Sequence, residues 1–251
     1  MSLTFMTYNI RNGAKGRLDA VVRVIAEQAP DVVAVQELRG GPDLGAATGM
    51  RWHVARPTGG QPVGLLVARH LRVLAAGSVP RPFFHAAAWA RLATPSGPLT
   101  VVGAHLFPLW GRVRLREARW LAGFVRGRPE AVIMGDLNSL DPWTDHGVQL
   151  ATLAPQYRSR HLRRIGRGVD TRAMAFLARR GFVDVYRRCG TGQPWTVPTT
   201  RGGGAEFTEL RLDYIMATPA AAARFTECRV VTGGEAESAS DHYPLVARAA
   251  W

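Results

Sequence analysis

Cysteine is nearly absent: Cys189 and Cys228 are the only two in 251 residues. No CxxC pair exists, so a thiolate zinc site is excluded, and two cysteines make no disulfide framework. Lysine is scarcer still. Lys15 stands alone, and every other basic side chain is arginine. Acids are few, 19 Asp and Glu against 32 Lys and Arg, which leaves a net charge of +13. Long apolar runs are missing too. The longest charge-free stretch, Leu92–Gly111, is interrupted by Pro95, Pro98 and Pro108, by three glycines and by His105. Its composition suits two strands and a turn rather than a membrane span. The opening residues, MSLTFMTYNI, show no basic segment leading into an apolar core. No secretory signal is read there, and a cytoplasmic chain without integral membrane association is expected. No GxxxxGK, GxGxxG, GxSxG or HExxH motif occurs, which removes the P-loop, dinucleotide, serine-hydrolase and zincin readings.

What is present is ordinary globular material, 47% hydrophobic and 20% charged. The length fits one α/β domain over residues 1–251, and no linker long enough to divide it is visible. The positive charge favours polyanionic partners: nucleic acid, phosphorylated substrates or acidic membrane surfaces. Arginine's planar fork of donors fits phosphate.

Short apolar runs predict strands at Leu3–Ile10, Val32–Glu37, Val63–Ala68, Ala86–Leu92, Leu99–His105, Ala131–Gly135, Leu210–Met216, Arg229–Val231 and Tyr243–Ala247. Helical periodicity predicts helices over Arg17–Gln28, Trp110–Arg126 and Thr171–Arg180, the last stopped by Gly181. In the second, Trp110, Val113, Trp120, Leu121 and Phe124 share one arc. The Pro-Ser-Gly turn between Ala86–Leu92 and Leu99–His105 reads as a hairpin, so mixed sheets are expected.

Six of these runs end in polar residues that suit a strand interior poorly. Asn9, Glu37, His105, Asp136 with Asn138, Asp213, and Asp241 with His242 all stand at or beside such ends. Any one acid could be a helix cap and either histidine a core residue. Six endings together are hard to explain by caps, because α/β folds gather ligand sites at strand ends. Carboxylates and an amide oxygen are hard ligands suited to Mg²⁺, with Mn²⁺ a possible substitute. Histidines and further acids supply proton transfer for attack of water on phosphorus. The stretch Arg158–Arg172 holds six arginines against Asp170 alone, as a solvated face or a phosphate-contacting arm.

In chain order, TYNIRNG (Thr7–Gly13), VQEL (Val35–Leu38), GAHL (Gly103–Leu106), GDLN (Gly135–Asn138), RLDYI (Arg211–Ile215) and SDHYPL (Ser240–Leu245) resemble the endonuclease/exonuclease/phosphatase superfamily, whose members share the fold of pancreatic deoxyribonuclease. The resemblance implies a four-layer α/β sandwich, two mixed β-sheets packed face to face with helices outside. It implies a Mg²⁺-dependent phosphoesterase. Glu37 and Asn9 match the metal-binding residues, and Asp241 a residue near the metal. Asp136 matches the acid that orients or deprotonates water, Asn138 the phosphate-positioning asparagine, and Asp213 with His242 an Asp–His pair on the scissile phosphate. His105 matches a second histidine of the deoxyribonuclease and sphingomyelinase branches.

Two departures stand out. Abasic-site endonucleases usually carry a lysine soon after the metal glutamate and a tyrosine in place of His105; here Leu38-Arg39-Gly40 follows Glu37. Pancreatic-type deoxyribonuclease pairs its second histidine with a glutamate from an intervening strand, yet Arg56–Arg69 contains no acid. The expected activity is phosphodiester hydrolysis in nucleic acid, with Arg160, Arg163 and Arg164 contacting substrate phosphate. The alternatives are a phosphomonoesterase, a sphingomyelinase-like lipid phosphodiesterase and, last, a catalytically silent binding module. The loops Gly40–Gln61, Trp143–Arg172 and Gly190–Glu209, where specificity would reside, carry no readable signature.

Overall fold

A computed structural model describes residues 1–40, 43–165 and 168–251. Among them run thirteen strands: β1 (Ser2–Asn9), β2 (Val32–Gln36), β3 (Arg51–Ala55), β4 (Val63–Val67), β5 (Val73–Ser78), β6 (Ala87–Thr94), β7 (Gly97–His105), β8 (Ala131–Asp136), β9 (Val183–Asp184), β10 (Gly190–Thr191), β11 (Asp213–Ala217), β12 (Phe225–Val230) and β13 (Leu245–Ala250). They form a seven-stranded sheet, β10-β12-β13-β1-β2-β4-β3, and a six-stranded sheet, β5-β6-β7-β8-β11-β9. Both are mixed. β1–β2 and β7–β8 pair in parallel, while β6–β7 is an antiparallel hairpin closed at Thr94 and Gly97.

The inner strands are buried along their whole length, which is why they read as unbroken apolar runs. One hydrophobic cluster takes side chains from both sheets, including Val33 and Leu65 of the first and Val101, Met134 and Ile215 of the second. The sheets approach so closely that a Cβ on Gly103 would lie 2.9 Å from the Cβ of Ala34. Outside the sheets lie three longer helices, α1 (Leu18–Gln28), α2 (Gly111–Phe124) and α3 (Arg172–Arg179). α1 buries Val21, Val24 and Ile25, and α3 buries Ala173, Met174 and Leu177. No helix of the described residues is long and apolar enough to cross a membrane.

The buried face of α2 differs from the predicted arc. Arg114, Glu117, Ala118 and Leu121 point inward, while Trp110 is 48% exposed. The physical reason is hydrogen bonding. Arg114 donates to the carbonyls of Pro108 (3.1 Å) and Arg160 (2.7 Å). Glu117 accepts from the backbone N–H groups of Phe84 (3.0 Å) and Phe107 (2.7 Å). Buried polar groups satisfied in this way sit on a face that apolar periodicity cannot find. They also pin the two loops that flank His85 and His105.

Candidate active site

Strand register brings the polar endings together. Across the six-stranded sheet, His105 of β7 and Asp213 of β11 are both level with Asp136 of β8. In the other sheet, Asn9 at the end of β1 is level with Gln36, one residue before Glu37. The Asn9 amide bridges the two sheets, donating from Nδ2 to Glu37 Oε1 (3.2 Å) and Asp136 Oδ2 (3.1 Å).

The backbone is bent to make this possible. Glu37 and Asn138 adopt left-handed conformations at φ 65° and 48°, and Arg11, Asn12 and Ala14 do the same beside them. Such residues cost roughly 1–3 kcal/mol each and concentrate at functional sites. The turn at Glu37 returns its carboxylate toward β1, where Oε2 accepts from the Asn12 N–H (2.8 Å) and from Gln61 Nε2 (2.9 Å). At Gly135 a side chain would run into the Ala104 carbonyl, so only glycine lets β8 deliver Asp136 here.

Asp136 is buried and accepts from three donors. Oδ1 takes the Asn138 N–H (2.9 Å), and Oδ2 takes Asn9 and His105 Nε2 (3.3 Å), with His242 Nε2 at 3.9 Å. Asn138 is fixed by donating from Nδ2 to the Leu106 carbonyl (2.9 Å). Asp213 Oδ2 lies 2.8 Å from His242 Nδ1. Asp241 meets Arg11 Nε at 3.3 Å and accepts from Ser240 Oγ, which also donates to the Asn9 carbonyl. The six-motif set, Asn9, Glu37, His105, Asp136 with Asn138, Asp213 and Asp241 with His242, therefore converges on one cleft.

The electrostatics follow from burial and neighbours. Burial pulls the His242 imidazole down, but Asp213, then Asp136 and Asp241, push it up to about 10. Burial works to raise Asp136, yet His105, His242 and the Asn138 N–H hold it well below the usual carboxylate range. His105 is raised by Asp136 against the effect of its own burial. At neutral pH the cleft therefore holds an ionised Asp136 beside an imidazolium at His242.

The donor set fits a hard divalent cation. Glu37, Asp136, Asp213 and Asp241 bring four carboxylates, and the buried Oδ1 of Asp213 has no hydrogen-bond partner. Ligand atoms of Asp136, Asp213 and His242 come within 4.8 Å of one another. Of that trio, however, His242 Nδ1 is engaged by Asp213. The oxygen-rich side around Glu37, Asn9 and Asp241 better suits an ion that avoids nitrogen.

Several residues of the cleft carried no sequence signal. Gln61 donates its side chain to Glu37 and its backbone N–H to His85 Nδ1 (2.9 Å). His85 stacks on His105 at 3.8 Å with the rings 5° from parallel. His105 Nδ1 has no hydrogen-bond partner, so no acid pairs with it there, and burial, then His105, lowers the His85 imidazole to about 3. Thr196 Oγ1 accepts from the N–H groups of Leu212 (3.0 Å) and Asp213 (3.2 Å). Phe207 packs edge-on against His242 at 5.5 Å. None belongs to a short motif; each comes from a loop whose path the fold alone determines.

The arginine arm divides. Arg160 is half-buried, its guanidinium 5.1 Å over Phe207, donating to the Glu206 carbonyl, with Nε left without a partner. Arg164 is exposed and lies 5.6 Å over Trp110. Arg163 is exposed. Arg167, in the same stretch, lies outside the described residues.

Residues 6–242 match the Endonuclease/Exonuclease/phosphatase family, and the chain belongs to it. Members of this family are hydrolases acting on phosphoester bonds. No curated protein matches the sequence. Among solved structures, a family protein from Bacteroides thetaiotaomicron aligns with a TM-score of 0.71 at 16% identity, over 99% of this chain and 94% of that one. An AP endonuclease from Archaeoglobus fulgidus aligns at 0.68 and 20% identity, over 98% of each chain. A mannosyl-6-phosphatase from the same Bacteroides species aligns at 0.67 and 15%, again over 98% of each. At these identities the likeness is one of fold.

Proposed function

We propose that this chain is a Mg²⁺-dependent phosphodiesterase acting on nucleic acid. The observation that carries the reading is the alignment of Asp213, His242 and Asp136, with His242 Nε2 facing Asp136 and free to donate. Glu37, Asn9 and Asp241 would hold the cation, which when bound supplies a Lewis acid for phosphate oxygens. Asp136, already ionised, accepts a hydrogen bond from the attacking water and orients it toward phosphorus. Its depressed basicity suits orientation more than outright deprotonation. The bond from phosphorus to the leaving oxygen breaks as the new P–O bond forms, and the proton that water loses to solvent is balanced by the one the leaving oxygen takes up. His242, held as imidazolium by Asp213, donates from Nε2 to a phosphoryl oxygen as negative charge grows there. Asn138 offers its second amide hydrogen to the phosphate. His105 donates to Asp136 and fixes its rotamer rather than acting as a free proton source.

The +13 charge supports a polyanionic substrate. So does the approach to the cleft, where rings follow one another from exposed Trp110 to Phe107 (5.3 Å), Phe84 (4.8 Å) and His85 (4.9 Å). Flat surfaces beside arginines suit bases next to phosphates. A phosphomonoesterase is the second reading, supported by half-buried Arg160, whose unpartnered Nε could take the extra charge of a terminal phosphate. The core shared by both sheets supports reading residues 1–251 as one domain.

The test is hydrolysis of single- and double-stranded DNA, RNA, bis-(p-nitrophenyl) phosphate, p-nitrophenyl phosphate and sphingomyelin, each with Mg²⁺ and with EDTA. Cleavage of the nucleic acids and the diester, abolished by EDTA, is the expected result. Preference for the monoester, or for sphingomyelin, would replace the reading.

A further inference from the structure

One face of α2 is lined by arginine. Arg112, Arg116 and Arg119 follow at spacings of four and three residues, and Arg126 continues the line past Gly123 into the turn beyond the helix. All four are exposed. Among the described residues, none of them is in an ion pair. The only acid on the helix, Glu117, is turned inward to the backbone of Phe84 and Phe107. α2 begins six residues after His105, beside the catalytic cleft. It ends at a second cleft of about 620 Å³ lined by Arg119, Arg126, Arg128, Arg180, Phe176 and Thr218. Thr218 follows β11 at the end opposite Asp213, so the second cleft lies roughly 17 Å along that strand from the active site.

Two ordinary explanations account for only part of this. Cations are favoured at helix C-termini, which suits Arg126, Arg128 and Arg180. The same dipole disfavours Arg112 in the first turn of α2. Like charges at these spacings also repel. An arginine-rich composition supplies the residues but not their alignment or their lack of acidic partners. Aromatic rings meanwhile hold the guanidinium groups in place: Arg116 over Trp120 (5.6 Å), Arg119 and Arg180 over Phe176 (5.7 and 5.3 Å), and Arg128 over Phe124 (4.3 Å). A stacked guanidinium keeps its in-plane donors for phosphate.

We propose that the arginine face of α2 and the cleft at its end form a second binding site, which holds the backbone phosphates of a nucleic-acid strand beyond the scissile bond. The proposal rests on the nucleic-acid reading of the active site. The line from Arg112 to Arg126 spans about 21 Å at the helical rise, long enough to follow several nucleotides. An anionic membrane is the less suitable occupant. None of the exposed large apolar side chains among the described residues, Met1, Leu74, Leu109, Trp110, Val148 and Ile165, lies between Arg112 and Arg126 or in the second cleft. Membrane-surface helices need such an apolar face.

The site makes length the diagnostic. A triple variant, Arg116→Ala with Arg119→Ala and Arg126→Ala, is compared with wild type and with the matching triple Arg→Lys variant. Binding of a fluorescein-labelled 30-nucleotide DNA strand and of a trinucleotide is measured in EDTA over a salt series. Hydrolysis of bis-(p-nitrophenyl) phosphate and of the trinucleotide is measured with Mg²⁺. The Ala variant should bind the 30-mer on the order of tenfold more weakly at low salt, with a slope of log affinity against log salt shallower by about 2. The Lys variant should keep most of that slope. Trinucleotide binding and both hydrolysis rates should match wild type. Unchanged 30-mer affinity and slope would overturn the site while leaving the nucleic-acid reading intact. So would equal losses on 30-mer and trinucleotide. Oligonucleotides neither bound nor cut by wild type would overturn both. Loss of binding to phosphatidylserine vesicles without loss on the 30-mer would assign the face to a membrane instead.

Discussion

His242 Nδ1 lies 2.8 Å from Asp213 Oδ2, and both side chains are buried at the point where β11 is level with the end of β8. The carboxylate fixes which ring nitrogen faces the cleft and pushes the imidazole up to about 10, against the effect of burial. In the metal-free protein, the His242 ring should therefore stay protonated through neutral pH. Asp213→Asn removes that support, so the His242 titration followed by NMR should move down. The turnover number should fall about 10²–10⁴-fold. An unshifted titration would separate the pair.

Asp136 accepts from Asn9, His105 and Asn138 while facing His242. Asp136→Asn keeps the shape and removes the charge. Turnover should drop at least about a hundredfold with little change in substrate affinity. Normal turnover at saturation with lost binding would reassign Asp136 to substrate recognition.

Gln61 holds Glu37 from outside the motif set, donating 2.9 Å to Oε2. Groups that orient a metal ligand typically contribute about 10–100-fold in metal affinity. Gln61→Ala should raise the Mg²⁺ concentration for half-maximal activity by about tenfold, with the rate at saturating Mg²⁺ near wild type. A lower rate that excess Mg²⁺ does not restore would place Gln61 in the chemistry instead.

His161 is buried, neither ring nitrogen has a protein partner, and burial followed by Arg160 and Arg114 lowers it to about 3. The unfolded chain binds its proton near the ordinary value of 6.5, so between 6.5 and 3 the unfolded state gains protons that the native state refuses. The stability from this group is complete above 6.5 and lost as pH falls. From pH 7 to 5, wild type should lose about 2 kcal/mol more unfolding free energy than His161→Leu, measured by urea titration. Parallel losses would show that His161 titrates normally in the native state.

The nine predicted strands and three predicted helices are all present, because burial on both faces or on one stripe writes itself into the sequence as apolar period. Four strands were missed: β9 and β10 are only two residues long, and β3 and β5 are partly exposed, β3 alternating Arg51 and His53 with apolar residues and β5 an edge strand rich in Ala and Gly. The motif residues of the cleft were legible because polar side chains at the ends of apolar strands break the local pattern. Gln61, His85, Thr196 and Phe207 were not, since each lies in a loop and meets its partner through tertiary contact rather than local spacing. The inward face of α2 escaped for the complementary reason: Arg114 and Glu117 are polar, and only their backbone partners explain their burial.

Mg²⁺ titration of oligonucleotide cleavage by wild type and Glu37→Gln tests the central claim most directly. Glu37 is the carboxylate that the left-handed turn after β2 aims at Asn9. Wild type should be inactive in EDTA and recover with Mg²⁺. The variant should remain at least about a hundredfold slower at low Mg²⁺ while its circular dichroism matches wild type, since a hard cation would lose its main carboxylate. Cleavage that persists in EDTA, or a variant with the wild-type Mg²⁺ response, would contradict a Glu37-bound metal and the phosphodiesterase built on it.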